Sequence, residues 1–299
     1  MRGIDFYGSK DIAAAIKPAA LRFRKHHGYW PSLCTPGTYS EKIFWQNYFG
    51  ILPVPRAGNK LLTHEFIPVS LAGQIKTPEV YFRSKRAVLP GNDEIEPGKY
   101  ILKANHGSGM YLPIEYPLTH EARTQAEAKS GQWLECDFWV EQGEWWYSTF
   151  EKEIFIERRL GNGQPPVDWR FCIFDGHFSF AIPTRVSNSV TYEIQYLDHE
   201  FRPFIPMTMT PLSTVEFQQP ARIWDASRFA EEIAKNFPLV RVDMYIEDDE
   251  IYLGEMTFAP ANALTNYTRQ ADLAIGNRIK SIPNFSLRHH GAAHLNQRQ

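Results

Sequence analysis

The sequence predicts an α+β protein, in which helical segments alternate along the chain with short antiparallel hairpins. Two hairpin patterns carry this prediction. Apolar and polar residues alternate over Trp169–Phe174 and over Phe178–Pro183, with the turn Asp175-Gly176 between them. The same alternation runs over Leu239–Ile246 and Ile251–Phe258 near the end of the chain. Segments with helical spacing of apolar residues precede and separate these hairpins.

The helical segments are predicted from apolar spacing, caps and helix breakers. Residues 9–27 fit a helix that is interrupted by Pro18, and the Gly- and Pro-rich residues 28–37 fit a loop. The motif Thr38-Tyr-Ser-Glu41 matches a capping box, which predicts a helix over Glu41–Phe49. Further helices are expected over residues 60–71, 119–133 and 225–237, and further strands over Tyr100–Ala104 and Ile154–Ile156.

Composition excludes several classes of protein. A chain of 299 residues can bury one large core or two moderate ones. The formal net charge of −2 argues against a nucleic-acid partner, and no apolar run approaches the roughly 20 residues that span a bilayer. Three widely spaced cysteines form no CxxC pair, which indicates a reducing, cytoplasmic protein without a zinc set. A tryptophan cluster is either core or a stacking surface for a sugar: Trp133, Trp139, Trp145 and Trp146.

The last hairpin carries charged residues on one face of otherwise apolar strands. Side chains alternate along a strand, so Arg241, Asp243 and Tyr245 share a face, and Glu255 and Thr257 lie on the neighbouring strand. Two carboxylates beside a cation indicate a site for a divalent metal and a phosphate, because burying unpartnered carboxylates is costly. The alternative is that these charges are simply solvated near the turn.

The register of this hairpin tests the metal interpretation. Asp243 and Glu255 share a face only if the numbers of paired residues sum to an even value. We therefore expect a loop of odd length, or a bulge, at Glu247–Glu250. An even loop would send Glu255 to the opposite face.

A second motif, Tyr100-Ile-Leu-Lys-Ala-Asn-His-Gly-Ser-Gly109, puts a lysine on a strand just before a glycine-rich loop. Glycines let the backbone approach an anion closely, and Lys103 adds positive charge for the same group. A Gly-x-Gly loop is often only a turn, and this one is not a Walker A motif.

A third motif lies between the other two. The apolar strand from Ile154 runs through Leu160 into a polar turn, and Asp168 and Arg170 then fall on one face of the next strand. Asp168 could then accept a hydrogen bond from a hydroxyl, and Arg170 could donate to a phosphate on the same side of the strand. An ordinary exposed ion pair explains this segment equally well.

In this order the motifs resemble the ATP-grasp fold, and more closely the TupA-like branch related to the teichuronopeptide biosynthesis protein. The family stretch "LKCNHGSGG" is matched by Leu102–Gly109, and "DYKFFCFNG" is matched by Asp168–Gly176. The stretch "FPFVRVDLY…IYFGELTFTPG" is matched by Phe237–Ala261. Ser40–Gln46 and Gly143–Tyr147 match the family too, so the resemblance covers most of the chain.

The resemblance implies two α+β subdomains that clasp ATP, with a short helical extension in place of a full preceding domain. We expect this helical segment over residues 1–57. The first subdomain, with the lysine strand and glycine loop, is expected over residues 58–153. The second, with the adenine edge and metal hairpin, is expected over residues 154–287, followed by a flexible tail over 288–299.

The resemblance also implies how ATP is held. Lys60 and Lys103 would reach the α- and β-phosphates, and the loop Gly107-Ser108-Gly109 would close over them. Asp168 would accept a hydrogen bond from the ribose. The linker that reads adenine through its backbone would consist of Glu157, Arg158, Arg159 and Leu160.

The resemblance puts the phosphate chemistry on the last hairpin and the strands beside it. Arg170 and Arg241 would face the γ-phosphate and its transferred form. Asp243 and Glu255 would hold one or two Mg²⁺, a cation that prefers oxygen ligands, with Thr257 as a weaker neutral ligand.

The reaction that the resemblance implies is transfer of the γ-phosphoryl group to a carboxylate, followed by attack of an amine to form an amide. Catalysis would consist mainly of positioning and charge stabilisation. Arg185 would hold the acceptor carboxylate, and His106 would either contact the acyl group or stabilise the glycine loop. The implied substrates are a uronic-acid-containing cell-surface polysaccharide precursor, or an amino acid or peptide, with other polysaccharide-biosynthesis enzymes as partners and Trp145-Trp146-Tyr147 as a sugar-stacking surface.

Two other functions stay open from the sequence. One is an ATP-dependent kinase that phosphorylates a hydroxyl of a glycan or small molecule. The other is a nucleotide-sensing or scaffold protein without turnover, because the chain departs from the family pattern at Asn59, Met110 and Ala261. Thr257 also stands where most ATP-grasp enzymes carry asparagine.

Overall fold

Two antiparallel sheets organise the part of the chain that the computed structural model describes. That part comprises residues 9–137, 144–161, 165–187, 191–212 and 214–282. The predicted tail over residues 288–299 lies outside it. No helix in the described part is long and apolar enough to cross a membrane.

The first sheet has four strands in the order β1-β4-β2-β3. Helix α3 (His120–Glu135) packs on it, with the buried Trp133 in its small core. The strands are β1 (Val80–Ser84), β2 (Gly98–Ala104), β3 (Tyr111–Tyr116) and β4 (Ile154–Arg158).

The second sheet has six strands, with β10-β9-β5-β6-β7 in order and β8 paired to β6. Helix α4 (Ile223–Ala234) packs against this sheet, and α5 (Arg269–Gly276) follows its last strand. The strands are β5 (Asp168–Phe174), β6 (His177–Ser187), β7 (Thr191–Ile194), β8 (Leu197–Asp198), β9 (Leu239–Glu247) and β10 (Glu250–Thr257).

Strand β4 moves the expected boundary between the two subdomains. The sequence places residues 154–158 at the start of the second subdomain, but β4 pairs with β1 and β2 of the first sheet. Strand β4 therefore belongs to the first sheet, and the chain crosses to the second sheet after Arg158.

The N-terminal helices are α1 (Ser9–His27) and α2 (Tyr39–Phe49). Helix α1 continues through Pro18, where the sequence predicts an interruption. The predicted capping box of α2 is confirmed. The Thr38 hydroxyl accepts a hydrogen bond from the Glu41 amide at 3.0 Å, and the Glu41 carboxylate accepts one from the Thr38 amide at 2.9 Å. These bonds satisfy backbone donors that a helix start leaves without partners.

Both N-terminal helices belong to the core of the second sheet. Phe23 and Ile43 are completely buried in it. The Gln46 amide donates to the carbonyls of Leu239 and Phe258 at 2.8 and 2.7 Å, which fixes α2 against the ends of β9 and β10. Helices α1 and α2 therefore pack with the second sheet, and the predicted division into an N-terminal segment and two subdomains stays a prediction.

The helix predicted over residues 60–71 is instead two 3-10 helices, Lys60–Phe66 and Val69–Leu71. Pro68 lies between them and has no backbone N–H to donate, so a regular helix cannot continue there. Asn59 caps the first one through a 3.1 Å bond from the Leu61 amide. Lys60 thus stands at a helix start, as the sequence indicates.

Candidate active site

The turn of the β9–β10 hairpin has two residues, Asp248 and Asp249. Both have positive φ, 49° and 62°, as the tight hairpin turn that joins two twisted strands requires. Glu247 pairs directly with Glu250. The expectation of an odd loop or a bulge at Glu247–Glu250 is therefore wrong.

The register shift comes from a β-bulge inside β10 instead. Leu253 pairs with Met244, but Glu255 pairs with Asp243, so Gly254 is an extra residue. A Cβ atom at Gly254 would lie 2.7 Å from the Tyr245 ring, which leaves room only for glycine. The bulge brings Glu255 opposite Asp243, as the metal interpretation requires.

Direct pairing across β5, β9 and β10 aligns charged side chains on one side of the second sheet. Arg170 lies opposite Asp243, and Asp243 lies opposite Glu255. Arg241 lies opposite Thr257. Directly paired residues project to the same side of an antiparallel sheet. We call these five residues the charged face.

Hydrogen bonds fix the geometry of the charged face. Arg241 donates to both oxygens of Asp243, from Nε at 2.7 Å and from Nη2 at 2.5 Å. Arg241 Nη2 also donates to the Thr257 hydroxyl at 3.1 Å, and that hydroxyl donates to Glu255 Oε1 at 3.1 Å. Thr257 therefore joins the arginine to the second carboxylate, and its role as a metal ligand stays a prediction.

The two predicted lysines lie next to the charged face. Lys60 Nζ donates to the Gly107 carbonyl at 2.7 Å and lies 3.4 Å from Glu255 Oε2. Lys103 forms an ion pair with Glu157. Burial alone would raise the pKa of Glu255, but the charges of Lys60 and Arg241 outweigh it and lower that pKa.

A cavity between the two sheets is lined by six of the thirteen predicted ATP-binding and metal-binding residues, Lys60 among them. Lys103 and Glu157 reach it from the first sheet, and Asp168, Asp243 and Glu255 reach it from the second. Sequence reasoning missed other lining residues, which no motif marks: Leu61, Thr63, His64, Thr77, Pro78, Val80 and Leu253. A larger surface groove at the other end of β5, near Phe174 and Lys280, contains none of the predicted site residues.

Asp168 carries an unused hydrogen-bond acceptor. Its Oδ2 atom accepts from Arg170 Nε at 2.7 Å. Its Oδ1 atom is buried and has no hydrogen-bond partner within the described residues. Buried polar atoms are nearly always hydrogen-bonded, so this oxygen fits a ligand hydroxyl such as that of a ribose.

Asp243 and Glu255 supply the donor set that Mg²⁺ uses beside nucleotides, which is one or two carboxylates plus phosphate oxygens. Within the described residues, no group of three or more His, Cys, Asp or Glu side chains could hold a metal by itself. Burial raises the pKa of the Asp243 carboxyl against the opposing charge of Arg241. The pair therefore fits a Mg²⁺ ion that shares its ligands with a phosphate.

Part of the predicted adenine linker, residues 157–160, already forms contacts within the protein. The amide of Arg158 donates to the Glu79 carbonyl at 2.9 Å, and that of Arg159 donates to the Lys99 carbonyl at 3.4 Å. The Glu157 carboxylate forms an ion pair with Lys103. The prediction that the linker binds adenine through its backbone therefore rests on the Leu160 amide and on the carbonyls of the linker.

The glycine loop lies between β2 and β3, and His106 anchors it. Gly107 and Gly109 have φ of 82° and 73°, while Ser108 is exposed. His106 is buried, with Nε2 2.9 Å from the Trp133 carbonyl and Nδ1 3.2 Å from Asn105 Oδ1. Burial lowers its pKa. The loop-stabilising role fits this geometry, and the acyl-contact role does not.

Arg185 lies away from the charged face. Thr184 pairs with Asp168, so alternation along β6 turns the next side chain to the opposite side of the sheet. Arg185 contacts Glu193 at 3.4 Å and stacks on the Phe217 ring. The structure therefore does not bring it together with Arg170, contrary to the expectation from the sequence.

The aromatic cluster Trp145-Trp146-Tyr147 is core. Its exposed fractions are 7%, 2% and 5%, which leaves no open ring face for a sugar. Trp133 is also buried, and Trp139 lies outside the described residues. The stacking-surface expectation is therefore wrong for the described residues.

Glu144, just before this cluster, has a perturbed pKa that the sequence reasoning did not anticipate. Burial and the nearby charge of Glu255 raise its pKa to about 7, against the opposing effects of Lys60 and Arg241. Two of these groups, Glu255 and Arg241, belong to the charged face. Only the family match of the segment around it pointed to this position.

The two antiparallel sheets, the lysines between them and the charged face define an ATP-grasp protein. The chain belongs to the TupA-like ATP-grasp family, whose model matches residues 53–280. This confirms the resemblance found in the sequence. None of the curated proteins matches the chain.

Similar solved structures are distant from this chain. D-alanine–D-alanine ligase from Bacillus anthracis, complexed with ATP, is 15% identical over 76% of this chain and 64% of that ligase, with a TM-score of 0.45. The Helicobacter pylori D-alanine–D-alanine ligase is 13% identical over 77% and 59%, with a TM-score of 0.41. The macrocyclase MdnC from Microcystis aeruginosa MRC is 12% identical over 91% and 72%, with a TM-score of 0.39. The chain thus spans less than two thirds of either ligase.

Proposed function

We propose that this protein is an ATP-dependent carboxylate–amine ligase that forms an amide through an acylphosphate. Its proposed substrates are a uronic-acid-containing cell-surface polysaccharide precursor, or an amino acid or peptide. The observation that carries the proposal is the charged face, where the bulge at Gly254 puts two carboxylates and two arginines on one side of the sheet. Membership of the TupA-like family supports the same reaction class.

The chain's own residues divide into a nucleotide end and a transfer end. At the nucleotide end Asp168 would accept a ribose hydroxyl, and Lys60 and Lys103 would contact the α- and β-phosphates. At the transfer end Asp243 and Glu255 would hold Mg²⁺. The metal, when bound, supplies positive charge to phosphate oxygens.

The arginines would act on the group being transferred. Arg170 and Arg241 project from neighbouring strands on the same face as the carboxylates, so both would donate to oxygens of the γ-phosphoryl group. Asp168 and Asp243 hold the two guanidinium groups in place. Fixed donors of this kind stabilise charge in the transition state without reorganising during the reaction.

A screen of uronic acids and amino acids for stimulated ADP release tests this proposal. A ligase releases ADP and phosphate only when both a carboxylate and an amine are present. A product that retains the phosphate on a hydroxyl would instead identify a kinase. ATP binding without stimulation by any pair would favour the nucleotide-sensing alternative.

Asp168→Ala tests the nucleotide end of the site. We expect KM for ATP to rise about tenfold, because hydrogen bonds to charged groups contribute roughly 1.5–3 kcal/mol. The unmodified protein should bind 2′,3′-dideoxy-ATP more weakly than ATP, and the variant should bind both alike. Asp225→Ala, which removes an acid paired with Arg222 and Arg228, is the matched control. If the Asp168 variant still prefers ATP, the ribose role is wrong.

A further inference from the structure

A surface groove with a volume of about 700 Å³ lies at the end of β5 opposite to Asp168. A strand rises by about 3.4 Å per residue, so Phe174 in the groove lies about 20 Å along β5 from Asp168. A volume of this size is typical of pockets that hold small organic ligands. The groove, which we call the distal groove, is therefore a candidate binding site separate from the nucleotide cleft.

Hydrogen bonds between distant segments hold the walls of the distal groove together. The Asp175 amide in the β5–β6 turn donates to the Pro238 carbonyl in the segment after α4 at 2.9 Å. The Asp175 carboxylate accepts from the Lys280 amide at 2.6 Å and from the Ser281 hydroxyl, both in the segment after α5. Three segments far apart in sequence thus form one concave site.

The polar side chains around the distal groove are mostly cationic. Asp175 is the only acid among the described residues that line it, and both oxygens of Asp175 already accept the hydrogen bonds given above. The groove therefore presents an excess of positive charge to solvent, which favours an anionic ligand. Four exposed lining residues carry this charge or gain it on protonation: His177, Lys235, Arg278 and Lys280.

Arg278 is the lining cation whose contacts suit a ligand carboxylate. Its Nη1 atom donates to the Ser179 hydroxyl at 3.2 Å, and no carboxylate of the described residues pairs with it. Lys235, by contrast, forms an ion pair with Glu232 at 2.6 Å. A guanidinium binds a carboxylate through two parallel hydrogen bonds, which gives both strength and orientation.

The rest of the distal groove is largely apolar. A sugar acid combines a ring with apolar C–H faces and a carboxylate that is ionised near pH 7. Aromatic walls beside a guanidinium match both parts of such a ligand. The apolar lining consists of Phe174, which is buried, and of the partly buried Phe178, Phe237 and Pro238.

An acidic peptide fits the distal groove less well. Extended peptides are bound mainly through backbone hydrogen bonds to the free edge of a sheet. Strand β5 lies between β9 and β6, so it has no free edge. The backbone amides of Asp175, Phe178 and Lys280 already donate within the protein. Side chains rather than backbone groups would thus have to recognise the ligand.

We propose that the distal groove binds an acidic sugar unit of the polysaccharide precursor, with Arg278 paired to its carboxylate. This inference rests on the proposed function, which includes a uronic-acid-containing precursor among the substrates. The groove and the nucleotide cleft lie at opposite ends of β5. The sugar bound in the groove would therefore be a different unit of the polymer from the one whose carboxylate is phosphorylated.

Calorimetry with hexagalacturonate, a short uronic-acid polymer, tests the inference directly. The full chain is titrated without ATP or Mg²⁺. Arg278→Ala should weaken binding by about tenfold, because it removes a charge-assisted hydrogen-bonded pair. Arg278→Lys should retain part of the affinity, since it keeps the positive charge. Arg86→Ala, which removes an exposed arginine just after β1, is the matched control and should bind as the unmodified protein does.

Three outcomes would overturn the inference. One is equal affinity of Arg278→Ala and the unmodified protein, and another is no binding of hexagalacturonate at all. The third concerns the chemistry of the ligand. Neutral maltohexaose should not bind, and hexaglutamate should bind more weakly than hexagalacturonate. Equal binding of hexaglutamate would instead identify a surface for acidic peptides.

These titrations need no turnover, so they separate this inference from the proposed function. Absence of ADP release with every carboxylate and amine would count against the ligase function, while the hexagalacturonate titration would still decide the role of the distal groove. Loss of binding in Arg170→Ala but not in Arg278→Ala would place the polymer in the nucleotide cleft. That result would keep the proposed reaction and remove the second site.

Discussion

Replacing Glu255 by glutamine is expected to abolish Mg²⁺-dependent turnover and to leave the fold nearly intact. Glutamine keeps the size of the side chain and a hydrogen-bond partner for Thr257. It removes the negative charge that faces Lys60 and that would hold Mg²⁺ with Asp243. Losing one such electrostatic group in a desolvated site lowers kcat by about 10²–10³-fold.

The measurement is steady-state ADP release across a range of Mg²⁺ concentrations, together with a thermal unfolding curve. Glu250→Gln is the matched control, because Glu250 lies on the same strand in an exposed ion pair with Lys76 at 3.0 Å. Such surface pairs contribute at most about 1 kcal/mol, so this control should turn over normally. Normal turnover by the Glu255 variant would remove Glu255 from the metal site.

Gly254→Ala is expected to damage both stability and activity through the bulge in β10. The added methyl group would meet the Tyr245 ring at 2.7 Å and the Asp243 carbonyl at 3.2 Å. Overpacking of this kind costs roughly 1–3 kcal/mol. Glu255 would move relative to Asp243, and a displacement of about 1 Å in a catalytic site lowers the rate by about a hundredfold.

Urea unfolding and kcat measurements check this prediction, with Gly131→Ala as the control. Gly131 lies inside helix α3, and a Cβ there makes an ordinary 3.6 Å contact with Ala87. Alanine in that helix should stabilise the protein by about 0.5–1 kcal/mol. If Gly254→Ala behaves like Gly131→Ala, the bulge does not depend on glycine and does not set the position of Glu255.

Features held by local bonds were predictable from the sequence. The capping box of α2 needs only Thr38 and Glu41, which lie three residues apart, and it is present as predicted. The turn at Asp175-Gly176 is also local, and both residues have the positive φ that the turn requires. The order of the motifs, together with the matched stretches Leu102–Gly109, Asp168–Gly176 and Phe237–Ala261, was enough to place the chain in its family and so to predict the fold.

Features that depend on pairing between distant segments were not predictable. Strand β1 was not predicted although Val80, Tyr81 and Phe82 favour a strand, because five residues beside no turn signal do not show that their partner is β4, at least 70 residues later. The sequence around Gly254 is the same whether this residue is paired or forms a bulge. The position of the bulge that brings Glu255 opposite Asp243 was therefore not predictable. The side of the sheet on which Arg185 lies depends on the pairing of Thr184 with Asp168, which only the structure of the sheet shows.

Lys60 links the first sheet to the second. Its amide and its ammonium donate to the carbonyls of Asn105 and Gly107 in the loop after β2, while the same ammonium contacts Glu255 on β10. A nucleotide phosphate would compete with that carboxylate for the lysine. We therefore expect the Lys60–Glu255 ion pair to break as ATP binds and to re-form as ADP leaves. The timing of product release would then depend on this one side chain beside the reacting groups.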